Sequence, residues 1–324
     1  MKKKHIILIL FLVIFLGIFL IIFFRKNYKK TSVKSVNLVE VTRSVFYAPQ
    51  YVAIELGFFE DKNININLLS SSGSDRAMAA LLSDQSDIAL LGPEAIIYVY
   101  NQGRKNFPIA FAQLTQRDGS FLMSKINNEI FNWQNLNNKK IIIGRKGGLP
   151  QMVLSYLLKK NKINCEILDN IRLDAKASAF ISGDADYVAL FEPAASEIAS
   201  KFNANILVPI GTQLDVIPYT VYCATGNYIK KNNKIIQDFS SAINKSLNWI
   251  KNNSAENIAL VIKPYFPASD LKTLISSVDI YKKIDAWPLD SGINKQSMGF
   301  LKDIMMSSGE INYELNNNFN SLFL

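Results

Sequence analysis

The apolar and polar positions of this chain change period several times, and each change marks an element. Val36-Asn37-Leu38-Val39-Glu40-Val41 alternates with period two and reads as a first strand. Ser44-Val45-Phe46-Tyr47-Ala48 turns the chain. Pro49 suits the first helical position, and a short helix over 50–56 stops at Gly57, the expected left-handed cap. Ile64-Asn65-Ile66-Asn67-Leu68 alternates again. After the loop Ser70-Ser71-Ser72-Gly73, Ser74 is placed to cap a helix whose Ala77, Met78, Leu81 and Leu82 share one face. Strand, loop, helix, strand is the α/β alternation.

One pattern occurs twice. Ala80-Leu81-Leu82-Ser83-Asp84-Gln85-Ser86-Asp87-Ile88-Ala89-Leu90-Leu91 aligns, 99 residues later, with Ala179-Phe180-Ile181-Ser182-Gly183-Asp184-Ala185-Asp186-Tyr187-Val188-Ala189-Leu190. Each copy is a helix end, a polar turn, an Asp and a buried strand that runs into Pro beside Glu: Pro93-Glu94, then Glu192-Pro193. Solenoid repeats recur every 20 to 50 residues or so, so a single recurrence at this distance fits two similarly built α/β lobes facing across a cleft. Residues 107–115 are the expected strand leaving the first lobe, and Asp118-Gly119-Ser120 the first crossing. Lys139-Lys140-Ile141-Ile142-Ile143-Gly144 opens the second lobe, with a helix from near Pro150, and Ile217-Pro218-Tyr219-Thr220-Val221-Tyr222-Cys223 returns. From Tyr228 the pattern is helical, with Ile229, Ile235, Ile236, Phe239, Ile243, Leu247 and Ile250 at three- and four-residue spacings, and more helices follow near 254–263, 268–278 and 295–308. Packed on the first lobe, they make it discontinuous: 37–118 with 224–324, against 119–223 for the second.

The first 36 residues stand apart. Lys2, Lys3 and Lys4 precede an uncharged apolar run over 6–24 that spans about 30 Å of hydrocarbon as a helix. No small-residue cleavage site follows, so 1–24 reads as an uncleaved signal anchor and 25–36 as a basic tether. Positive charge flanks both sides of the run and alone would keep the rest in the cytoplasm, yet long following domains translocate largely regardless of such charge.

Charge and composition then remove classes. The chain has 324 residues, 49% of them hydrophobic, and a net charge of +9. Seven of its 36 basic residues lie within the first 30 positions with no acid, which leaves 29 against 27, or +2, for the remainder. Such a balance lacks the basic field of a nucleic-acid binder. Cys165 and Cys223 sit at no metal or redox spacing. The single histidine, His5, borders the apolar run, so the folded part has no Ser-His-Asp or Cys-His relay and no His-rich metal site.

Tyr47-Ala48-Pro49-Gln50-Tyr51-Val52-Ala53-Ile54-Glu55-Leu56-Gly57-Phe58-Phe59 resembles the first helix of the binding proteins of nitrate, taurine, alkanesulfonate and thiamine-pyrimidine ABC importers. Ser72-Gly73-Ser74-Asp75 and Ser83-Asp84-Gln85-Ser86-Asp87 resemble that family's Gly-rich loop and its helix end before a strand, with Asp84 where Gly is usual. Asp186 to Pro193 resembles the counterpart in the second lobe. The resemblance covers about residues 37–260. It implies a type II periplasmic-binding-protein fold, two α/β lobes joined by two crossing strands, here preceded by a transmembrane helix. It also implies a monomeric extracytoplasmic receptor at the cell membrane that closes on a small molecule and hands it to an ABC permease and its ATPase, with no cofactor, no metal and no nucleic-acid partner. The pyrimidine-synthase branch of the family uses a histidine that this chain lacks outside residue 5, so no enzyme is expected. A ligand-sensing ectodomain shares the fold and stays open.

Ligands of open α/β sheets bind beyond the carboxyl ends of strands, against helix N-termini. That rule selects four loops. In Ser44-Val45-Phe46-Tyr47, Ser44, Phe46 and Tyr47 either touch ligand or pack the lobe. In Gly92-Pro93-Glu94, glycine permits close approach and Glu94 is either a ligand group or a helix-start carboxylate. Arg145-Lys146-Gly147-Gly148-Leu149-Pro150 has neither the P-loop nor the dinucleotide spacing; Arg145 meets an anion or is a solvated turn charge. In Phe191-Glu192-Pro193, Glu192 is the leading candidate and suits an amino-substituted heterocycle, as the resemblance also implies for pyrimidine-binding members. Asp118 and Ser120 on the crossing, and the rings of Tyr51, Tyr98 and Tyr219, complete the set; stacking on a flat ring competes with plain core packing. The carboxylates favour a nitrogen-rich aromatic ligand such as a thiamine-pyrimidine precursor, with an alkanesulfonate, taurine or nitrate-like oxyanion as the alternative.

Overall fold

The period-two segments become the strands of two five-stranded sheets. In a computed structural model of the chain, which describes residues 33–126, 129–311 and 319–324, β1 (Lys34–Glu40), β2 (Ile64–Ser70), β3 (Ile88–Leu91) and β4 (Pro108–Thr115) belong to one sheet. β5 (Ser120–Ser124), β6 (Lys140–Ile142), β7 (Glu166–Leu168), β8 (Tyr187–Phe191) and β9 (Asn205–Pro209) form the second. β10 (Thr220–Thr225) then returns to the first, between β3 and β4. The orders are β2-β1-β3-β10-β4 and β7-β6-β8-β5-β9. β1 and β3 run parallel, as do β6 with β7 and β8, whereas β10 and β5 run antiparallel to their neighbours. Each lobe therefore has a mixed sheet.

The chain crosses between lobes over 116–119 and again over 210–219. Ile217 and Tyr219 donate N–H groups to the Gln116 and Thr115 carbonyls, and Thr115 Oγ1 lies 2.7 Å from Thr220 Oγ1. These bonds tie the two crossings to each other. The second lobe, expected to run to 223, ends earlier, because β10 already belongs to the first sheet at Thr220.

The repeated pattern builds the same joint in each lobe. Asp87 accepts from the Asn37 N–H at 2.8 Å, and its own N–H donates to the Asn37 carbonyl. Asp186 does the same at Lys140, accepting at 2.9 Å. In both copies the Asp locks the entry of one strand to the start of its parallel neighbour. Asp84 and Gly183, aligned in the two copies, both hold left-handed backbone, with φ of 60° and 100°.

The helices, in order, are α1 (Ala48–Glu55), α2 (Ser74–Leu82), α3 (Pro93–Asn101), α4 (Leu149–Lys160), α5 (Lys176–Ser182), α6 (Ala194–Phe202), α7 (Gly226–Lys231), α8 (Asn233–Asn252), α9 (Ala255–Ile262), α10 (Leu271–Lys283) and α11 (Lys295–Ser307). Ser74 is the first residue of α2 rather than its cap; Gly73 holds the cap position. α8 buries Ile236, Phe239, Ile243, Leu247 and Ile250, the stripe read from the sequence, and packs on α1. Each such side chain contributes about 1.5–3 kcal/mol of burial.

The later helices divide differently from the expectation that they cover the first lobe. α9 packs on α1, but α10 touches both α9 and α6 of the second lobe. α11 buries Met298, Leu301, Ile304 and Met305 and lies along α4, with the Phe300 and Tyr156 rings edge to face at 5.8 Å. Periodicity gives the buried face of a helix but not its partner, and here the second lobe offers the nearer apolar surface. Beyond α11, Leu324 donates to the Ala110 carbonyl, and with the Gln113 N–H donating to the Ser291 carbonyl this covers part of the edge of β4. The expected membrane helix over 6–24 lies outside the described residues. Among the described residues no helix is long and apolar enough to cross a membrane.

Candidate functional site

The carboxyl end of β1 carries the first wall of the site. Glu40 ends the strand fully buried, and its Oε2 accepts from Gln50 Nε2 at 2.7 Å and from the Tyr51 hydroxyl at 2.9 Å. Tyr222 on β10 donates to Gln50 Oε1, and Arg43 Nε lies 3.2 Å from Glu40 Oε1. Burial raises the Glu40 carboxyl to about 7, against the opposing pull of Arg43 and the two hydrogen bonds. This network holds the corner from which the Ser44–Tyr47 turn projects. Ser44 Oγ caps the turn by accepting from the Phe46 N–H at 3.2 Å.

Phe46 and Tyr47 are buried where the lobes meet. The Phe46 ring lies 5.2–5.8 Å, centroid to centroid, from those of Tyr47, Tyr219, Tyr281 and, across the cleft on β8, Phe191. Its carbonyl accepts from Trp287 Nε1 at 2.8 Å. Aromatic candidates that lie far apart in sequence thus form one cluster, and Tyr281 and Trp287, which no local pattern had singled out, complete it.

The crossings supply the floor. Asp118 is fully buried and accepts from the N–H and hydroxyl of Ser120 through Oδ1 and from the Tyr219 hydroxyl through Oδ2 at 2.8 Å. One carboxylate therefore joins the first crossing to the second. Burial raises its pKa, opposed by these bonds and by the Lys176 charge. Lys176, at the start of α5, is only 2% exposed. Its Nζ donates to the Ala189 carbonyl at 3.2 Å, and burial lowers it to about 8 against the pull of Asp118. Lys176 lies in the polar run Asp174-Ala175-Lys176-Ala177-Ser178, which reads as a solvated face, so the sequence carries no sign of it.

The two Pro–Glu pairs end in different environments. Glu192 is buried behind a cis Glu192–Pro193 peptide, and both of its carboxylate oxygens are used: Oε2 accepts from the Ser196 N–H at 3.0 Å and Oε1 from the Ser196 hydroxyl at 2.8 Å. Ser277 of α10 approaches Oε2 at 3.5 Å, and the Tyr281 hydroxyl receives the Glu192 N–H. Burial raises its pKa, and the Ser196 bonds counter that.

Glu94 is 3% exposed, and its Oε2 closes no hydrogen bond. Its carboxylate folds back over Gly92, where a Cβ would stand 2.0 Å from Oε2. The N–H groups of Glu94 and Leu149 and the Ser74 hydroxyl favour its charged form, yet burial outweighs them and holds the carboxyl at about 7. The Glu40 and Glu94 charges both bear on the Tyr47 hydroxyl, and those of Asp118 and Glu94 on that of Tyr219. Ser44, Phe46, Tyr47, Gly92, Glu94, Asp118, Ser120, Glu192 and Tyr219 thus gather at the junction.

Arg145 points elsewhere. Its side chain is 57% exposed and pairs at 3.8 Å with Asp75, and Lys146 is exposed as well. Tyr98 is half-buried, its hydroxyl 3.0 Å from the Gly147 carbonyl and 2.9 Å from Glu310 Oε2, so it fastens the 144–148 loop to α3. Tyr51 serves the Glu40 network. Both cysteines are free thiols. Among the described residues no cluster of His, Cys, Asp and Glu is arranged to hold a metal.

The NMT1/THI5-like family model matches residues 45–257. The chain is also 40% identical over 287 residues to YtlA of Bacillus subtilis (strain 168), which carries the name of a binding protein and no named ligand; the match covers 87% of this chain and 86% of YtlA. The chain belongs to the NMT1/THI5-like family. Solved structures share its architecture at low identity. The alkanesulfonate-binding protein SsuA of Xanthomonas axonopodis superposes with a TM-score of 0.73 at 11% identity, covering 91% of this chain and 99% of SsuA. The nitrate-binding protein NrtA of Synechocystis gives 0.69, also at 11%, covering 90% and 85%. This NMT1/THI5-like chain therefore has the periplasmic-binding-protein fold, and its relatives support a solute-binding receptor. The first helix, the Gly-rich loop and the second-lobe motif that carry the resemblance all lie within the matched span.

Proposed function

We propose that this chain is the extracytoplasmic receptor of an ABC importer, and that its ligand is a nitrogen-rich aromatic heterocycle of the thiamine-pyrimidine kind. One observation carries the ligand class: a buried carboxylate oxygen without a donor, Glu94 Oε2, at an aromatic-lined junction between two lobes. An amino group or protonated ring nitrogen supplies the missing donor in a charge-assisted bond, while Phe46, Tyr47 and Tyr219 offer faces and edges for offset stacking. Glu40, Asp118 and Glu192 add to the acidic surroundings, with Lys176 the one buried ammonium among them. An oxyanion would need a free cation or free helix N-termini at the junction. Arg145 and Lys146 face solvent instead, and the first-turn N–H groups of Glu94 and Leu149 already act on the Glu94 carboxylate.

In this reading the lobes open and close about the crossings at 116–119 and 210–219, and the closed form docks on the permease. Residues 6–24 anchor the receptor to the membrane. No bond of the ligand is made or broken.

The test is a thermal-shift panel on the full chain in mild detergent, with pyrimidines, flavins, amino acids, sulfonates and nitrate, read by tryptophan fluorescence. A ligand that binds only the folded state stabilises it by about 2.7 kcal/mol at 100 times its dissociation constant. Amino-pyrimidines are expected to raise the melting temperature while sulfonates and nitrate leave it unchanged. A sulfonate shift with the heterocycles silent would reject the ligand class. Silence across the whole panel, with a cooperative melt, would move the chain toward a sensing role.

A further inference from the structure

Three helices of eight or more residues point their N-termini at one place. α2 begins at Ser74, α3 at Pro93 and α4 at Leu149, and the Ser74 hydroxyl, the Glu94 N–H and the Leu149 N–H all act on the Glu94 carboxylate. α2 and α3 belong to the first lobe and α4 to the second, so the place is formed only when the lobes are together. First-turn N–H groups have no partner within their helix, and each helix adds partial positive charge there. Converging N-termini of this kind bind oxyanions. Here the anion is the protein's own. The carboxylate lies over Gly92, with both oxygens where a glycine Cβ would stand, and one of them is unpartnered although the residue is almost wholly buried. Ser74 Oγ already accepts from the Gly92 N–H at 3.4 Å, which leaves its proton for the carboxylate.

We propose that Glu94 is an internal anion that fills an oxyanion hole and thereby sets the specificity of the receptor. With the hole occupied, an anionic ligand meets a negative charge where it needs donors, and a donor-rich ligand meets an acceptor. Glu94 thus rejects sulfonates and nitrate by like-charge repulsion as well as recognising amines by attraction. The inference rests on the solute-receptor reading, and it makes a gain-of-function prediction that does not depend on finding the natural ligand. Removing the carboxylate uncovers the hole.

Binding of ethanesulfonate and nitrate is measured by thermal shift and calorimetry on the full chain, with Glu94→Ala, Glu94→Gln and the unaltered protein side by side. Glu94→Ala is expected to bind these anions saturably, at least about tenfold tighter than the unaltered protein, each tenfold being about 1.4 kcal/mol. Glu94→Gln, which loses the charge but whose amide still fills the space, is expected to gain clearly less than Glu94→Ala, which separates an uncovered site from a general salt or charge effect. A folded Glu94→Ala chain without anion binding overturns the proposal, as does equal binding by all three chains. Should Glu94→Ala lack a cooperative melt, tens of millimolar ethanesulfonate or nitrate must restore one; failure to do so also overturns it. The same samples are titrated with amino-pyrimidines. Loss of that signal in the unaltered protein would reject the proposed ligand while the anion result still decides the role of Glu94.

Discussion

The two copies of the repeated pattern end in the same residue types and put them to opposite uses. In the second lobe Glu192 turns inward on its own helix, where Ser196 satisfies both oxygens and Ser277 stands near. In the first lobe Glu94 faces the junction, folded over Gly92, with one oxygen unmatched. Both are buried, and burial raises both carboxyls. The difference lies in what each lacks. A capped carboxylate is part of the scaffold, whereas a buried acceptor without a donor is held at a cost that the fold alone does not explain. A duplicated α/β lobe can thus keep one Glu bonded within the scaffold and leave the other with an open acceptor, without changing the local sequence type.

The largest expected effect tests the structural half of that contrast. Glu192→Ala removes the acceptor of the Ser196 N–H and hydroxyl, which are part-buried in the first turn of α6. It is expected to lower stability by about 3 kcal/mol, measured by urea unfolding. A loss below about 1 kcal/mol, together with lost ligand binding, would transfer the ligand role back to Glu192.

Next in size is the pH response of Glu94. Its ordinary value is 4.5, and burial holds it at about 7 in the folded chain. Below pH 4.5 both folded and unfolded chains keep the proton, so the group costs nothing. Between pH 4.5 and 7 the unfolded chain releases the proton while the folded one retains it, and stability falls as pH rises; above 7 the full cost remains. At about 1.4 kcal/mol per unit, that cost is about 3 kcal/mol. Glu40, raised to the same extent, adds a parallel fall. Glu94→Gln is therefore expected to stabilise the chain at pH 8, by up to about 3 kcal/mol, and to leave it unchanged at pH 4. Melting curves across this range decide it: an unaltered slope in the variant would mean that Glu94 is not the group responsible.

Asp118→Asn comes third. It weakens the bond from Tyr219 that joins the two crossings and removes the charge facing Lys176. The expected loss is about 2 kcal/mol. Free of Asp118, Lys176 is expected to titrate lower than about 8, seen as a shifted midpoint when its amine is followed by NMR. A Lys176 midpoint that stays in place would show that burial alone sets it.

Much of this scaffold is legible along the chain because its signals are local. The period-two strands, the polar turn and Asp before β3 and β8, and the helical stripe of α8 depend on near neighbours, and all three are found as read. The bonds of Asp87 to Asn37 and of Asp186 to Lys140 join distant segments and were not read. The site is legible only in part. Phe46, Tyr47, Glu94, Asp118 and Tyr219 sit at strand ends or crossings, where an α/β fold exposes its ligands, and that rule led to residues that the fold brings together. Glu40 sits at such an end too, and a carboxylate closing an apolar strand was a signal that went unused. Lys176, Tyr281 and Trp287 arrive from segments whose pattern says surface or core, and only the lobe-to-lobe packing brings them together. The same reason separates α11 from its expected lobe. Arg145, read as either an anion group or a solvated turn charge, pairs with Asp75 at the surface; a basic residue in a Gly-rich loop looks the same in either place.

The smallest effect probes whether the two copies are equivalent where they differ most in chemistry. Asp84 and Gly183 occupy the same turn with left-handed backbone, φ 60° and 100°. A side chain at Gly183 meets open space, the nearest atom being Lys125 Nζ at 3.8 Å, so Gly183→Ala carries only the backbone penalty, about 1 kcal/mol. Gly183→Asp imports the residue of the first copy. Its short side chain can bond to nearby backbone in this conformation, so it should recover about half of that loss. Asp84→Gly should gain a few tenths of a kcal/mol at most, because relief of the strained backbone is offset by glycine's larger loss of freedom on folding. All three are read as shifts in the urea midpoint. Gly183→Asp costing as much as Gly183→Ala would show that the first copy tolerates its Asp for reasons outside the turn, and the equivalence of the copies would then stop at the Asp87 and Asp186 joints.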